Sequence, residues 1–364
     1  MDTSNLTLEL SKHPVSDAER QALLADPGFG RLHSDHMVTV RWAEHKGWYD
    51  GRLQPYANFS FDPATSFLHY GQAIFEGMKA YKLADGSVAM FRPHENAQRF
   101  QRSAARMALP ELPVELFIEA CEALVRTDAA WIPESEGASL YLRPFLLGTE
   151  VGLGVRPSNE ALFALIAMPA ANYFAGPVRP LTLWLSTDIS RAAPGGTGEA
   201  KCAGNYAASL LAQQASVVAG CDQVAFLDAV EHRWIEELGG MNLFFVLDDG
   251  SLITPELSGT ILRGVTRDSL ITLARDAGHE VTERKIDIAE WRDGVASGRV
   301  REVFACGTAA VLTPIGTLRW EGGEVSTGTE IGPVTQHLRA ALVDLQYGRT
   351  PDPRGWRHEV LPAP

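Results

Sequence analysis

The chain has 364 residues, 45% of them hydrophobic and 21% charged, with a formal net charge of −13. That length buries a core without staples and predicts two domains. The acidic balance excludes a broad nucleic-acid footprint, which needs clustered Lys and Arg, but leaves room for a small anionic ligand held by a few cations and backbone N–H groups.

Residues 1–35 are polar, with one short amphipathic patch at Ala18–Leu24, and read as an arm. Residues 66–92 read as strands broken by a turn at Asp85-Gly86. Residues 94–108 carry Phe100, Ala104 and Met107 on one stripe and predict a helix, which Pro110 and Pro113 end. A second helix follows over 113–130. Ser139–Leu147 and the wholly apolar Leu162–Met168 predict strands, the latter buried. The small, proline-bounded run Pro169–Pro177 reads as a linker.

The second half opens with a strand over Leu181–Ser186 and a glycine-rich loop. A helix over Tyr206–Ala219 stops at Gly220. Strands return at Gln223–Leu227 and at Met241–Ile253, turning at Asp248-Asp249-Gly250. A helix spans Arg267–Ala277. Val303–Pro314 reads as a strand interrupted by Gly307, and beyond Leu345 the chain reads as a polar, proline-rich tail. There is no internal repeat.

The first residues, Met1-Asp2-Thr3-Ser4, lack the basic start and apolar run of a secretory signal. No stretch reaches the roughly 18 uncharged apolar residues that span a bilayer. Cys121, Cys202, Cys221 and Cys306 form neither a CxxC nor a cluster with a His pair, so they read as reduced thiols, with no metal site. A cytoplasmic protein without a membrane partner is expected.

Chemistry concentrates in Gly195-Gly196-Thr197-Gly198-Glu199-Ala200-Lys201-Cys202-Ala203-Gly204-Asn205-Tyr206. A phosphate-binding P-loop needs Gly before its Lys and Ser or Thr after it. Ala200 and Cys202 occupy those places, so that reading fails. A GxGxxG fingerprint fails as well, because Lys201 sits where the third glycine belongs. From the loop alone, a solvated lysine and a nucleophilic one are equally good readings; a nucleophile needs a desolvated or electropositive setting.

The wider set resembles the branched-chain aminotransferases among the fold-type IV (class IV) pyridoxal phosphate (PLP) enzymes. The resemblance rests on the lysine segment and on Glu237-Leu238-Gly239-Gly240-Met241-Asn242. It extends to Leu262–Arg267, Phe75–Tyr81, Tyr141-Leu142-Arg143-Pro144 and Gly307-Thr308-Ala309, and covers roughly residues 30–345. It implies an α+β fold of two domains: a smaller N-terminal α/β domain with its arm (1–169), an interdomain loop (170–180), and a larger C-terminal domain with a β-barrel-like core that carries the lysine (181–364).

By the same resemblance, Lys201 carries PLP as a Schiff base and moves the substrate proton as general base and acid. Glu237 serves the pyridine nitrogen, while the adjacent Glu236 is expected to be a surface acid. Arg99, Tyr206, Thr308 and the backbone of Val265 and Thr266, at an expected helix start, hold the cofactor. Tyr70, Phe75, Tyr141, Arg143, Val155, Tyr173, Gly240 and Ala309 line the substrate side. Tyr141 and Arg143, two apart on a strand, share a face, which suits a site that takes an apolar side chain in one half-reaction and a carboxylate in the other.

The activity implied is transamination of leucine, isoleucine and valine with 2-oxoglutarate, by at least a homodimer. Some relatives carry Thr where this chain has Gly240, and some carry a CxxC just after Thr-Ala, where this chain has Ala310–Thr313 and no thiol switch is expected. The competing readings are a D-amino-acid aminotransferase, an aminodeoxychorismate lyase, and a cofactor-binding or nucleotide-binding module without turnover.

Overall fold

The computed structural model describes residues 6–171 and 178–363. The chain divides into two compact units, Met1–Tyr173 with Ala200–Ala203 and Leu345–Pro364, and Phe174–Glu199 with Gly204–Asp344. The division expected from sequence ran once through the chain. In the observed units, two pieces from the second half, the four residues around Lys201 and the C-terminal stretch, group with the first unit.

The first unit is built on a sheet of β1 (Thr7–Leu8), β2 (His36–Ala43), β3 (Gly47–Pro55), β4 (Ala73–Phe75), β5 (Met78–Lys82), β6 (Val88–Phe91), β7 (Ser139–Gly148) and β8 (Glu160–Ala170). Its spatial order is β1-β3-β2-β8-β7-β5-β6, with β4 also pairing β7 and Arg357–Leu361 added at the β6 edge. The expected tail therefore contains an edge strand, antiparallel to β6. Five residues beside prolines and charges carry too little alternation to announce it.

Helices α1 (Asp17–Leu24), α2 (Ser66–Tyr70), α3 (Pro93–Arg106) and α4 (Val114–Thr127) complete this unit. Residues 66–70 are thus a single helical turn rather than strand, closed by Gly71 in the left-handed region. Helix α3 begins with proline at its first position, where the missing N–H costs nothing. Phe100 and Phe117, from α3 and α4, lie 5.5 Å apart between ring centroids and meet Phe163 of β8 at 5.8 and 6.3 Å. Burial of such rings is what fastens helices to a sheet.

The second unit holds β9 (Leu181–Ser186), β10 (Gln223–Leu227), β11 (Ile235–Leu238), β12 (Asn242–Leu247), β13 (Leu252–Thr254), β14 (Val281–Glu283), β15 (Val300–Gly307), β16 (Val311–Trp320) and β17 (Gly323–Ser326). Their order is β11-β10-β9-β16-β15-β12-β13-β14, with β17 on β16. The two mixed sheets, one of them curled into a half-barrel, and the helices beside them make the α+β fold.

Helices α5 (Ala203–Val218), α6 (Val265–Asp276), α7 (Ile288–Ser297) and α8 (Pro333–Gln346) follow in chain order. Val303–Pro314 is not one strand but parts of β15 and β16, an antiparallel hairpin that turns through Thr308–Ala310. Gly307 marks the reversal, and an interrupted strand and a hairpin give the same alternation.

Candidate active site

Three polar residues share the buried face of α3: Asn96, Arg99 and Ser103. Their spacing of three and four stacks them on successive turns. Asn96 Nδ2 donates to Glu76 Oε2 at 2.8 Å. Arg99 Nε and Nη2 donate to the two oxygens of Glu76 at 2.7 and 2.9 Å. Ser103 Oγ accepts from the backbone N–H of Lys201 at 3.0 Å. Glu76 is fully buried and Arg99 is 4% exposed. Burial alone would push the Glu76 carboxyl up; the Arg99 guanidinium, the Lys201 charge and Asn96 hold it below its ordinary value.

Lys201 is anchored by its backbone. Its carbonyl accepts from the N–H of Phe75 at 3.0 Å, and Cys202 bridges Ile74. Lys201 Nζ then stands 4.9 Å from the centre of the Phe75 ring. Arg143 Cζ stands 4.9 Å from the same ring, and Arg143 Nη2 lies 3.2 Å from Tyr141 Oη. The shared face expected for Tyr141 and Arg143 is therefore present. Gly77 makes room for it: a Cβ there would sit 1.9 Å from Tyr141 Oη. Tyr70, at the end of α2, donates to the carbonyl of Leu153, in the same loop as Val155, which is 84% exposed. Tyr173 lies outside the described residues.

The second unit positions the other expected residues. Glu237, on edge strand β11, is 2% exposed. Its Oε1 accepts from the backbone N–H of Leu262 at 2.8 Å and pairs with Arg191 Nη2 at 2.6 Å. Arg191 also donates to the carbonyls of Gly198 and Thr260. It thereby ties the glycine-rich loop, the 260 loop and Glu237 together. Sequence reasoning missed Arg191, since an arginine shortly after a strand looks like any surface cation.

Glu236 corrects an expectation. It is 5% exposed rather than a surface acid, and Thr260 Oγ1 donates to its Oε1. The strand does alternate, but β11 is covered on both faces. Burial pushes the Glu236 carboxyl up to about 7.

Around these residues, Gly264 caps the start of α6, and among the described residues no side chain caps that end. Val265 and Thr266 are its first two residues, as a helix start near Thr266 implied. Asn242 Nδ2 holds the approach by donating to Leu262 at 3.1 Å. A Cβ at Gly240 would lie 3.6 Å from the Tyr206 ring, and one at Gly307 would lie 3.4 Å from the Gly240 carbonyl. So Tyr206, on the first turns of α5, Gly240 in the β11–β12 turn, and the Thr308–Ala309 turn after Gly307 converge. The neighbouring Cys306 thiol is pushed up to about 12 by burial, which leaves it inert.

A family model for class IV amino-transferases matches residues 73–318. The chain belongs to the class IV amino-transferase family. It is 57% identical to a probable branched-chain-amino-acid aminotransferase of Streptomyces coelicolor, over 99% of this chain and 100% of that one. It is 52% identical to the branched-chain-amino-acid aminotransferase of Mycobacterium tuberculosis, over 94% and 95% of the two chains. Among solved structures, the branched-chain amino acid aminotransferase of Escherichia coli matches with a TM-score of 0.74 and 30% identity, over 88% of this chain and 99% of that one. The T.th. branched-chain amino acid aminotransferase with pyridoxamine 5'-phosphate matches with a TM-score of 0.73 and 32% identity, over 88% and 98%.

Proposed function

We infer that this protein is a branched-chain-amino-acid transaminase, moving the amino group of leucine, isoleucine or valine reversibly to 2-oxoglutarate. The observation that carries the substrate reading is the placing of the Phe75 ring beside both the Lys201 amine and the Arg143 guanidinium. An apolar, aromatic wall with Arg143 at its edge, beside the amine that anchors the cofactor, accepts an aliphatic side chain. It also accepts the second carboxylate of glutamate through Arg143 and Tyr141.

Class IV transaminases use pyridoxal 5'-phosphate, which supplies an aldehyde for amine exchange and a ring that delocalises the electrons left when Cα loses its proton. The residues fit that group by their chemistry. Glu237 is a buried carboxylate with a cation at its back, suited to a protonated ring nitrogen. The start of α6, with no side-chain cap, offers Val265 and Thr266 N–H groups to a phosphate, and Thr308 and Tyr206 add hydroxyl donors. Arg99, expected at the phosphate, has two nitrogens committed to Glu76.

Lys201 has two tasks in this reading. Its Nζ would be the covalent anchor and, once freed by the substrate amine, would take the proton from the substrate Cα and deliver it to the cofactor carbon that carried the aldehyde. The Glu76 carboxylate offsets the positive charge that Lys201 carries when it holds that proton. Ala309 N–H and the Gly239-Gly240 turn bind the substrate carboxylate. Gly240 contributes no hydroxyl, so backbone N–H or water must serve. Val155 completes the apolar side.

The assembly in this reading is a homodimer or higher. Helix α5 has no charged residue and exposes Leu210, Leu211, Val217 and Val218 to 64–85%. An uncharged apolar stripe of that size belongs to an interface. Among the described residues no helix is long and apolar enough to cross a membrane. All four cysteines are free and buried, which suits a reducing cytoplasm.

The test uses the purified, PLP-loaded protein. Borohydride should fix the cofactor on Lys201, and Lys201→Ala should lose activity with L-leucine and 2-oxoglutarate. Wild-type activity in that variant, or turnover of D-alanine but not L-leucine, would overturn the reading.

A further inference from the structure

Two consecutive glutamates on β11 have different surroundings. Glu237 meets Arg191 and the Leu262 N–H. Glu236 lines a separate cavity of about 260 Å³ in the second unit. The volume is near the lower end for small-molecule pockets, roughly 300 Å³. Trp234, Pro255 and Ile261 give it apolar walls. Among the described residues its charged lining is unbalanced: Asp228, Glu231, Glu236 and Glu256 against one cation, Lys285.

These carboxylates are not equivalent. Asp228 accepts backbone N–H bonds from Val230, Glu231, Arg233 and Trp234, so its oxygens are already satisfied. Glu231 accepts from Trp234 Nε1 at 2.9 Å. Glu236 is different: Oε1 takes the Thr260 hydroxyl, and Oε2 is buried with no hydrogen-bond partner among the described residues. Buried polar atoms are nearly always paired, and an exception points to a missing partner. The last torsion of a glutamate is soft, so a small turn presents that oxygen to a donor in the cavity.

We propose that this cavity is a second ligand site, taking a small organic ammonium whose N–H pairs with Glu236 and whose short apolar body lies against Trp234 and Pro255. The lining selects this class. An anion would face four carboxylates. A neutral alcohol could donate to Glu236 but would bring no counter-charge. A bare metal cation would leave the apolar walls uncovered. Lys285, exposed and 5.4 Å from the centre of the Trp234 ring, competes for the same negative field, as does Arg233, whose Cζ stands 4.6 Å from that ring and which also pairs with Asp287.

The probe is protonated N,N-dimethylisobutylamine. It has one N–H, a branched apolar body, and, as a tertiary amine, no way to condense with an aldehyde carbon. It is titrated calorimetrically into the PLP-loaded enzyme. Saturable one-to-one binding is expected, weakened roughly tenfold or more by Glu236→Gln and tightened by Lys285→Met. The opposite signs separate a charged site from general damage to the fold. No saturable binding at millimolar probe, or equal affinity in wild type and both variants, would overturn the proposal. If Glu236→Gln does not fold, the Lys285→Met arm decides: unchanged or weaker binding there sinks it. Binding of isovalerate, the carboxylate of matching shape, that Glu236→Gln weakens as much as it weakens the amine would also sink it.

Discussion

Nη2 of Arg191 lies 2.6 Å from Oε1 of Glu237, and both side chains are almost wholly buried, at 4% and 3% exposure. A buried carboxylate keeps its charge only while a cation and N–H donors surround it. Arg191→Met should therefore damage more than one property. Stability should fall by about 3–5 kcal/mol, the usual cost of leaving one member of a buried pair alone. Turnover should fall roughly a hundredfold, through loss of the charge on Glu237. The double variant Arg191→Met/Glu237→Gln should recover stability but not activity. Thermal melts and steady-state kinetics check both; wild-type turnover in the single variant would refute the positioning role.

Glu76 and Arg99 make a second buried pair, and its pH behaviour has a definite sign. Burial would raise the Glu76 carboxyl, but Arg99 and Lys201 outweigh it and the net shift is down from 4.5. A depressed carboxyl contributes stability that is present above its unfolded value and is lost as pH falls through the folded one. Glu76→Gln should thus destabilise the protein at pH 7, and the difference from wild type should shrink below about pH 4.5. Denaturant unfolding at several pH values tests it. A gap that widens toward acid would contradict the assignment.

Gly77 lies against Tyr141. A Cβ at that position would come within 1.9 Å of the phenol oxygen, so Gly77→Ala must push the ring away from Arg143. Overpacking of this kind costs about 1–3 kcal/mol. The expected signature is a KM for 2-oxoglutarate raised several-fold, with borohydride fixation on Lys201 intact. An unchanged KM would show that Tyr141 does not set the substrate side.

Glu236 carries the opposite pH sign to Glu76. Burial raises its carboxyl from 4.5 to about 7. The folded protein then holds a proton that the unfolded chain has released, so stability falls as pH rises between those two values. Glu236→Gln should gain on wild type across that window, by on the order of 2 kcal/mol once pH exceeds about 7. Paired urea titrations at pH 5 and pH 8 measure the gain; equal differences at both would disprove it.

Much of the site is legible without a fold. Lys201 stands in a segment that fits neither nucleotide-binding loop, and Glu237, the start of α6 and Thr308 follow in order. The hairpin at Asp248–Gly250 and the stripe on α3 are visible as local periodicity. Residues 66–70 depart from the expected strand because five residues cannot separate a helical turn from a short strand. Glu236 departs from the expected surface acid because its burial depends on cover from the 255–261 loop, remote in sequence from β11.

The residue types on which the chemistry draws, and their order, are written in the chain itself, because lysine, glutamate and glycine carry their reactivity and backbone freedom wherever they fall. Which charges are paired is a property of the folded molecule alone. Arg99 is bound to Glu76, Arg191 stands behind Glu237, and one oxygen of Glu236 has no hydrogen-bond partner among the described residues. Pairing depends on burial and on distances of a few ångströms between residues far apart in the chain. A buried charge is strong or costly according to what stands next to it, and no local pattern of letters records that neighbour.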